Sequence, residues 1–254
     1  MGNSHIQIQI LGVQGIPIVK EGDDLASMII EAAEASAIGI KDGDIVVVAQ
    51  KIVSKAEGRL VELSKISPSP FALRIAELTN RDARLVELVL RESNRAVRMK
   101  DGHMIMETRH GFVCANAGVD LSNVSGGDVA SLLPEDPDAS ASKIREGIRR
   151  RRGVDVAVII SDTFGRPWRL GHVDFAIGVA GMKPLRDYRG EKDMFGYELK
   201  VTTMAVADEL AAAAELVMGK SSGIPVVIIR GYEYERGEGT AKELIRPIQQ
   251  DLFR

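Results

Sequence analysis

Between Gly153 and Gly171 the chain reads GVDVAVIISDTFGRPWRLG. Val154 and then Val156 to Ile160 form a short apolar run, rich in Val and Ile and preceded by a glycine, the pattern of a buried strand. The run stops at Ser161-Asp162-Thr163. A strand interior excludes unpaired charge, which predicts Asp162 at the strand's carboxyl end, where open α/β sheets place their ligands. Gly165, Arg166, Pro167, Trp168 and Arg169 then read as a stiff, cationic turn. A carboxylate, a hydroxyl and two guanidiniums so close together suit a metal and phosphates. The plainer alternative is a strand-end Asp that caps a turn.

Outward from that stretch, the same two periodicities recur. His5 to Val13 alternates apolar and polar residues, as a half-buried strand does, and Ile45 to Ala49 and Pro225 to Ile229 read as buried strands. Leu25, Met28, Ile29, Ala32, Ala33 and Ser36 form a helical stripe, with Asp23 and Asp24 as N-cap candidates. Phe71 to Leu78 and Asp82 to Glu92 predict two short amphipathic helices, and Arg95 to Glu107 a hairpin about Asp101-Gly102. Phe112 to Ala115 is a further strand, and a helix begins at Asp138 or Ser140 and ends in Arg149 to Arg152. Val173 to Met182 is apolar and glycine-spaced, Asp187 to Tyr197 is loop-like, and Thr203 to Met218 is helical and closed by Gly219. Glu243 to Phe253 is a terminal amphipathic piece. Strands and helices mix without clean βαβ alternation, so the expected class is α+β.

Bulk properties narrow the function. The 254 residues, 45% hydrophobic and 27% charged, are those of a globular chain able to bury a sizeable core, as one large unit or two smaller ones. A net charge of −3 and a pI near 5.9 argue against nucleic acid or an anionic membrane as the main partner. Cys114 is the single cysteine, which rules out an intrachain disulfide and suits the cytoplasm, and its apolar setting reads as a buried thiol. Neither a cationic leader nor a long apolar span stands out.

Asp120 and Asp162 both follow apolar strands, and paired hard oxygens at converging strand ends are what Mg²⁺ or Mn²⁺ takes, completed by water and phosphates. Thr163 and Asn123 can add neutral oxygens. Lys51, Lys55 and Arg59 either clamp phosphates or form a solvated cationic face. Gly219-Lys220-Ser221-Ser222 looks like the end of a phosphate loop, but Ala214 stands where the first Gly belongs and a helix precedes it. The Arg149–Arg152 run is better explained by a helix C-terminus than by nucleic acid. His5, His103, His110 and His172 lack metal-ligand spacing, and Gly237 to Thr240 reads as a turn capping the last helix.

Taken in order, Gly15-Ile16-Pro17, Ser54-Lys55-Ala56-Glu57-Gly58-Arg59, Asn116-Ala117-Gly118-Val119-Asp120 with Ser122-Asn123, Ser161-Asp162-Thr163, Phe175-Ala176-Ile177-Gly178 and Val206-Ala207-Asp208-Glu209 form a series. It resembles the coenzyme F-420:γ-glutamyl ligases, from about Ile8 to Gly231. The resemblance implies an α+β fold in an intertwined homodimer, one ligase unit over residues 1–254 with room for two subdomains. It implies GTP as co-substrate, Mg²⁺ or Mn²⁺, and a γ-linked amide joining L-glutamate to a deazaflavin coenzyme precursor. Asp120 and Asp162 would hold one metal and Thr163 a second. Ile16, Pro17, Ile18, Val19, Gln50, Lys51, Lys55, Asn123 and the loop Met218, Gly219, Lys220, Ser221, Ser222, Gly223, Ile224 would hold GTP. No general base is named by the resemblance. The chain departs from the pattern at Lys220, where family members can carry an acidic ligand of the second ion, and near Gln50-Lys51, where a hydroxyl pair is missing. The chemistry is coherent: a carboxylate is a poor electrophile, and an acyl phosphate made from GTP activates it, with Lys55 and Arg166 as candidates to position the phosphates. Two alternatives stay open: a non-catalytic GTP- or GDP-binding regulator, and a ligase for another amino acid and acceptor.

Overall fold

The computed structural model describes residues 7–124 and 128–252. His5 and Phe253, named above, lie outside them. In chain order the elements are β1 (Gln9–Gly12), α1 (Leu25–Ala35), β2 (Ile45–Ala49), α2 (Gln50–Ala56), β3 (Leu60–Glu62), α3 (Pro70–Thr79), α4 (Ala83–Arg91), β4 (Ser93–Lys100), β5 (His103–Thr108), β6 (Val113–Ala115), β7 (Val129–Ser131), α5 (Pro137–Arg152), β8 (Ala157–Arg166), β9 (Arg169–Ala180), β10 (Arg186–Asp187), β11 (Thr203–Met204), α6 (Val206–Met218) and β12 (Val226–Arg230). The class is α+β, as expected.

A mixed five-stranded sheet in the order β1-β12-β2-β8-β9 carries the main core. Only β2 and β8 run parallel. Their Ile45–Val48 and Ala157–Ile160 stretches are buried throughout, which is why they read as unbroken apolar runs. Helices α1, α5 and α6 pack around this sheet. Asp24 caps α1, as expected. Helix α5 starts earlier than expected: Asp136 is the N-cap and Pro137 the first helical residue, where a missing amide costs nothing. The arginines at its end are answered locally, Arg151 by Asp24 and Arg152 by Glu34 at 2.5 Å, so the run staples α5 to α1.

A second, smaller core gathers Leu63, α3, α4, β5 and Leu132. The sheet β4-β5-β6 and the pair β3–β7 flank it. The C-terminal piece is two 3-10 turns rather than a helix, and Thr240 with Glu243 forms a capping box for the first of them.

Strand β8 corrects one expectation. It does not end at Asp162 but continues to Arg166 as an antiparallel partner of β9. Its parallel partner β2 stops one residue earlier: Ala49 lies beside Ser161, and Gln50 begins α2. From Asp162 onward, β8 is therefore paired with β9 and no longer with β2, and Asp162 sits where the two strands part. The cationic turn is the tip of this hairpin, with Pro167 and Trp168 between the paired Arg166 and Arg169.

Candidate functional site

Where β2 turns into α2 and β8 runs on, a cleft of about 620 Å³ opens. Six separate segments line it: Ile16–Val19, the start of α2 with Gln50, Lys51 and Lys55, the turn at Asp120–Asn123, Ser161–Thr163, His172 with Asp174 on β9, and the loop from Met218 to Pro225. Ser222 is the one residue of the expected GTP and metal sets that does not line it; its hydroxyl lies against Gly219, where an added Cβ would stand 2.6 Å away.

Asp120 is aimed by backbone geometry. Asn116, Ala117 and Gly118 take three successive left-handed conformations, φ 54°, 53° and 74°. Such a run is costly for non-glycine residues. It is held from outside: Arg81 donates to the Asn116 side chain at 2.7 Å. The chain leaves it so that the Asp120 amide and carbonyl both bond to Ser131. Asp120 thus belongs structurally to the β3–β7 pair, which borders the second core, whereas Asp162 belongs to the main sheet.

The Asp120 carboxylate accepts from Lys51 Nζ at 2.5 Å, Ser122 Oγ at 2.6 Å and the Ser122 amide at 3.0 Å. Burial pushes its carboxyl up, and these donors together outweigh that and hold it below the usual value. Asp162 differs. It lies deep in the cleft, and desolvation pushes its carboxyl up to about 7. The Thr163 amide and the Lys51 charge work against this rise, while the Asp174 and Asp120 charges add to it. Desolvation, with a smaller effect from Lys51, also lowers the Lys55 ammonium.

Asp174 is the site residue that sequence reading missed. It is 4% exposed and lies opposite Thr163 across the β8–β9 pair. Residues two apart on a strand share a face, and both Ser161 Oγ (3.0 Å) and Thr163 Oγ1 (2.6 Å) donate to it. The signal was present: a charged residue inside the apolar Val173–Met182 run. His172, also dismissed, lines the cleft as well. Lys220 enters from the α6–β12 loop. Its Nζ bonds Thr163 Oγ1 and pairs with Asp174 at 3.2 Å and Glu215 at 3.5 Å. The Asn123 side chain donates to the Lys220 carbonyl at 3.4 Å, tying that loop to the Asp120 turn. The loop runs from helix to strand, which confirms that it is no Walker motif. Gln50 is buried; its Oε1 accepts from Ser54 Oγ at 2.8 Å, and its Nε2 has no partner among the described residues.

Three cations fall elsewhere. Arg59 lies past the end of α2 and pairs with Glu92 at 2.7 Å and Glu135 at 3.2 Å, so it joins the two cores and clamps no phosphate in this cleft. Arg166 bonds the Leu170 carbonyl at 2.8 Å inside the hairpin tip and does not line the cleft; neither does Arg169. Cys114 is buried, and desolvation with the nearby Asp162 charge pushes its thiol up to about 12.

Among the described residues no three His, Cys, Asp or Glu side chains cluster as a protein-only metal centre. The donor set is instead two carboxylates and a hydroxyl facing one open cleft. That fits a hard cation such as Mg²⁺, which keeps waters and leans on substrate phosphates rather than on a full protein cage.

Residues 14–231 match the family F420-0:Gamma-glutamyl ligase. Similar proteins include the coenzyme F420:L-glutamate ligase of Methanothermobacter thermautotrophicus, 52% identical over 97% of this chain and 99% of that one. Those of Methanopyrus kandleri and Methanocaldococcus jannaschii are 49% and 45% identical, over 96% and 98% of this chain and 98% and 97% of theirs.

Proposed function

Because the chain belongs to the F420-0:gamma-glutamyl ligase family, and is thus an amino-acid ligase, we propose that it joins L-glutamate to the deazaflavin coenzyme precursor at the expense of GTP. The supporting observation is the convergence of Ile16–Val19, Lys51, Lys55, Asp120, Asp162, Thr163 and the Met218–Ile224 loop on one cleft from distant parts of the sequence. Its size suits a nucleotide.

In this reading the precursor's carboxylate attacks the γ-phosphorus of GTP and GDP departs. The amine of glutamate then attacks the acyl carbon, phosphate leaves, and the amide remains. Lys51 and Lys55 bind phosphate oxygens, and the half-buried Lys55 is well placed because low dielectric strengthens its attraction to them. The apolar Ile16–Val19 segment and the Gly219–Gly223 loop close over the base. Asp120 and Asp162 would hold a divalent ion, which supplies neutralisation of charge on the phosphates. Taking an ion there requires Lys51 to leave Asp120 for a phosphate. The Gln50 amide nitrogen, buried without an acceptor among the described residues, is a donor available to the nucleotide.

A homodimer is also proposed. Trp168 and Leu170 at the hairpin tip are 78% and 98% exposed, and Met194, Phe195 and Val201 are similarly open. So much large apolar surface fits an arm that packs on a second copy.

The test is incubation of the purified chain with GTP, Mn²⁺, glutamate and the precursor, read by mass spectrometry. A product heavier by glutamate units, with GDP formed in step, is expected. Intact precursor and GTP would refute the reading, and preference for another amino acid in competition would redirect it.

A further inference from the structure

Lys220 occupies an unusual position for a lysine. Its Nζ is surrounded by hard oxygens from three sources: the Thr163 hydroxyl, the Asp174 carboxylate at 3.2 Å and the Glu215 carboxylate at 3.5 Å. A hydroxyl and carboxylates converging on a cleft are what a divalent cation would choose. Asp174 is in addition nearly fully buried and cannot be left without a counter-charge at small cost.

The charges of the cleft divide into two places. At one, Asp174 and Thr163 are served by Lys220. At the other, Asp162 carries no ion pair among the described residues, and Asp120 is held by Lys51, which can turn toward phosphate. Phosphoryl-transfer sites with two divalent ions place them about 3.5–4 Å apart, each on its own set of oxygens. Here one set of oxygens is already filled by a cation attached to the chain.

We propose that the Lys220 ammonium is a tethered cation standing where a second divalent ion would otherwise bind, so that this cleft loads a single divalent ion, at Asp120 and Asp162, for each nucleotide. This rests on the GTP-and-metal reading above. An ammonium is a point charge with three donors, able to hold Thr163 and Asp174 and still turn a proton to a phosphate oxygen. Its presence is independent of free metal concentration.

The experiment counts metal rather than turnover. The full chain with a non-hydrolysable GTP analogue is titrated with Mn²⁺, and bound ions are read by electron paramagnetic resonance against bound nucleotide. One ion per nucleotide is expected for the parent. Lys220→Glu, a substitution at an exposed side chain, is expected to bind two, with the spectrum of a spin-coupled pair. Two ions in the parent, or one in Lys220→Glu, would overturn the proposal. Failure of the parent to retain nucleotide at all would instead remove the GTP reading, and the tethered cation with it.

Discussion

Burial holds the Asp162 carboxyl near 7, against 3.8 for a free one. Below pH 3.8 the folded and unfolded chains are both protonated there. As pH rises, the unfolded chain releases a proton that the folded chain keeps, so stability falls between about 4 and 7 and is level above. Asp162→Asn, free of nucleotide and metal, should therefore melt higher than the parent at pH 8, by roughly 2–4 °C for each kcal/mol relieved, with the gap closing toward pH 4.5. Differential scanning calorimetry at the two pH values checks this. The same variant should lose ligase activity on the order of 10²-fold or more. Asp174→Ala should act the other way, costing about 1–3 kcal/mol in denaturant titration, since Ser161 and Thr163 lose their shared acceptor. Asp120 and Asp162 were legible because each closes an apolar run in a turn-like setting. Asp174 was not, because an apolar frame of nine neighbours outweighs one carboxylate in any periodicity, and only its cross-strand hydroxyls explain it.

Among the elements, β9 is packed more tightly than its composition suggests. A Cβ on Gly178 would stand 2.3 Å from the Pro137 carbonyl oxygen, in the first turn of α5. The next residue, Val179, donates to Asp138 at 2.8 Å, and the same oxygen accepts from Ala241 at 2.8 Å. Gly178→Ala must push α5 off that anchor, and a loss of about 1–3 kcal/mol or more is expected in urea unfolding. The periodicities located nearly every strand and helix of the main sheet. They failed at boundaries decided by a neighbour: β8 outlasts its apolar run because β9 supplies the ladder, and α5 begins at Pro137 because Asp136 caps it. The short β3 and β7 strands carry too few residues to show a period, yet they fix Asp120.

For the whole molecule, the proposed dimer predicts about twice the monomer mass in light scattering, and Leu170→Glu with Trp168→Glu should shift it to the monomer with the fold intact by circular dichroism. A second expectation concerns the buried Arg230–Asp44 pair, bidentate at 2.7 and 2.8 Å and 2% exposed on the Asp44 side. Arg230→Ala strands that carboxylate, and a cost of about 3–5 kcal/mol should appear in thermal unfolding. Arg230 ends β12, the strand that lies between β1 and β2. Among the described residues β1 thus has a single neighbour, and that neighbour is made long after β1 itself. During synthesis, β1 must wait for Val226–Arg230 to leave the ribosome before it has a ladder to join. Nascent chains arrested before residue 226 should consequently show β1 open to protease, and those released after it should show β1 protected.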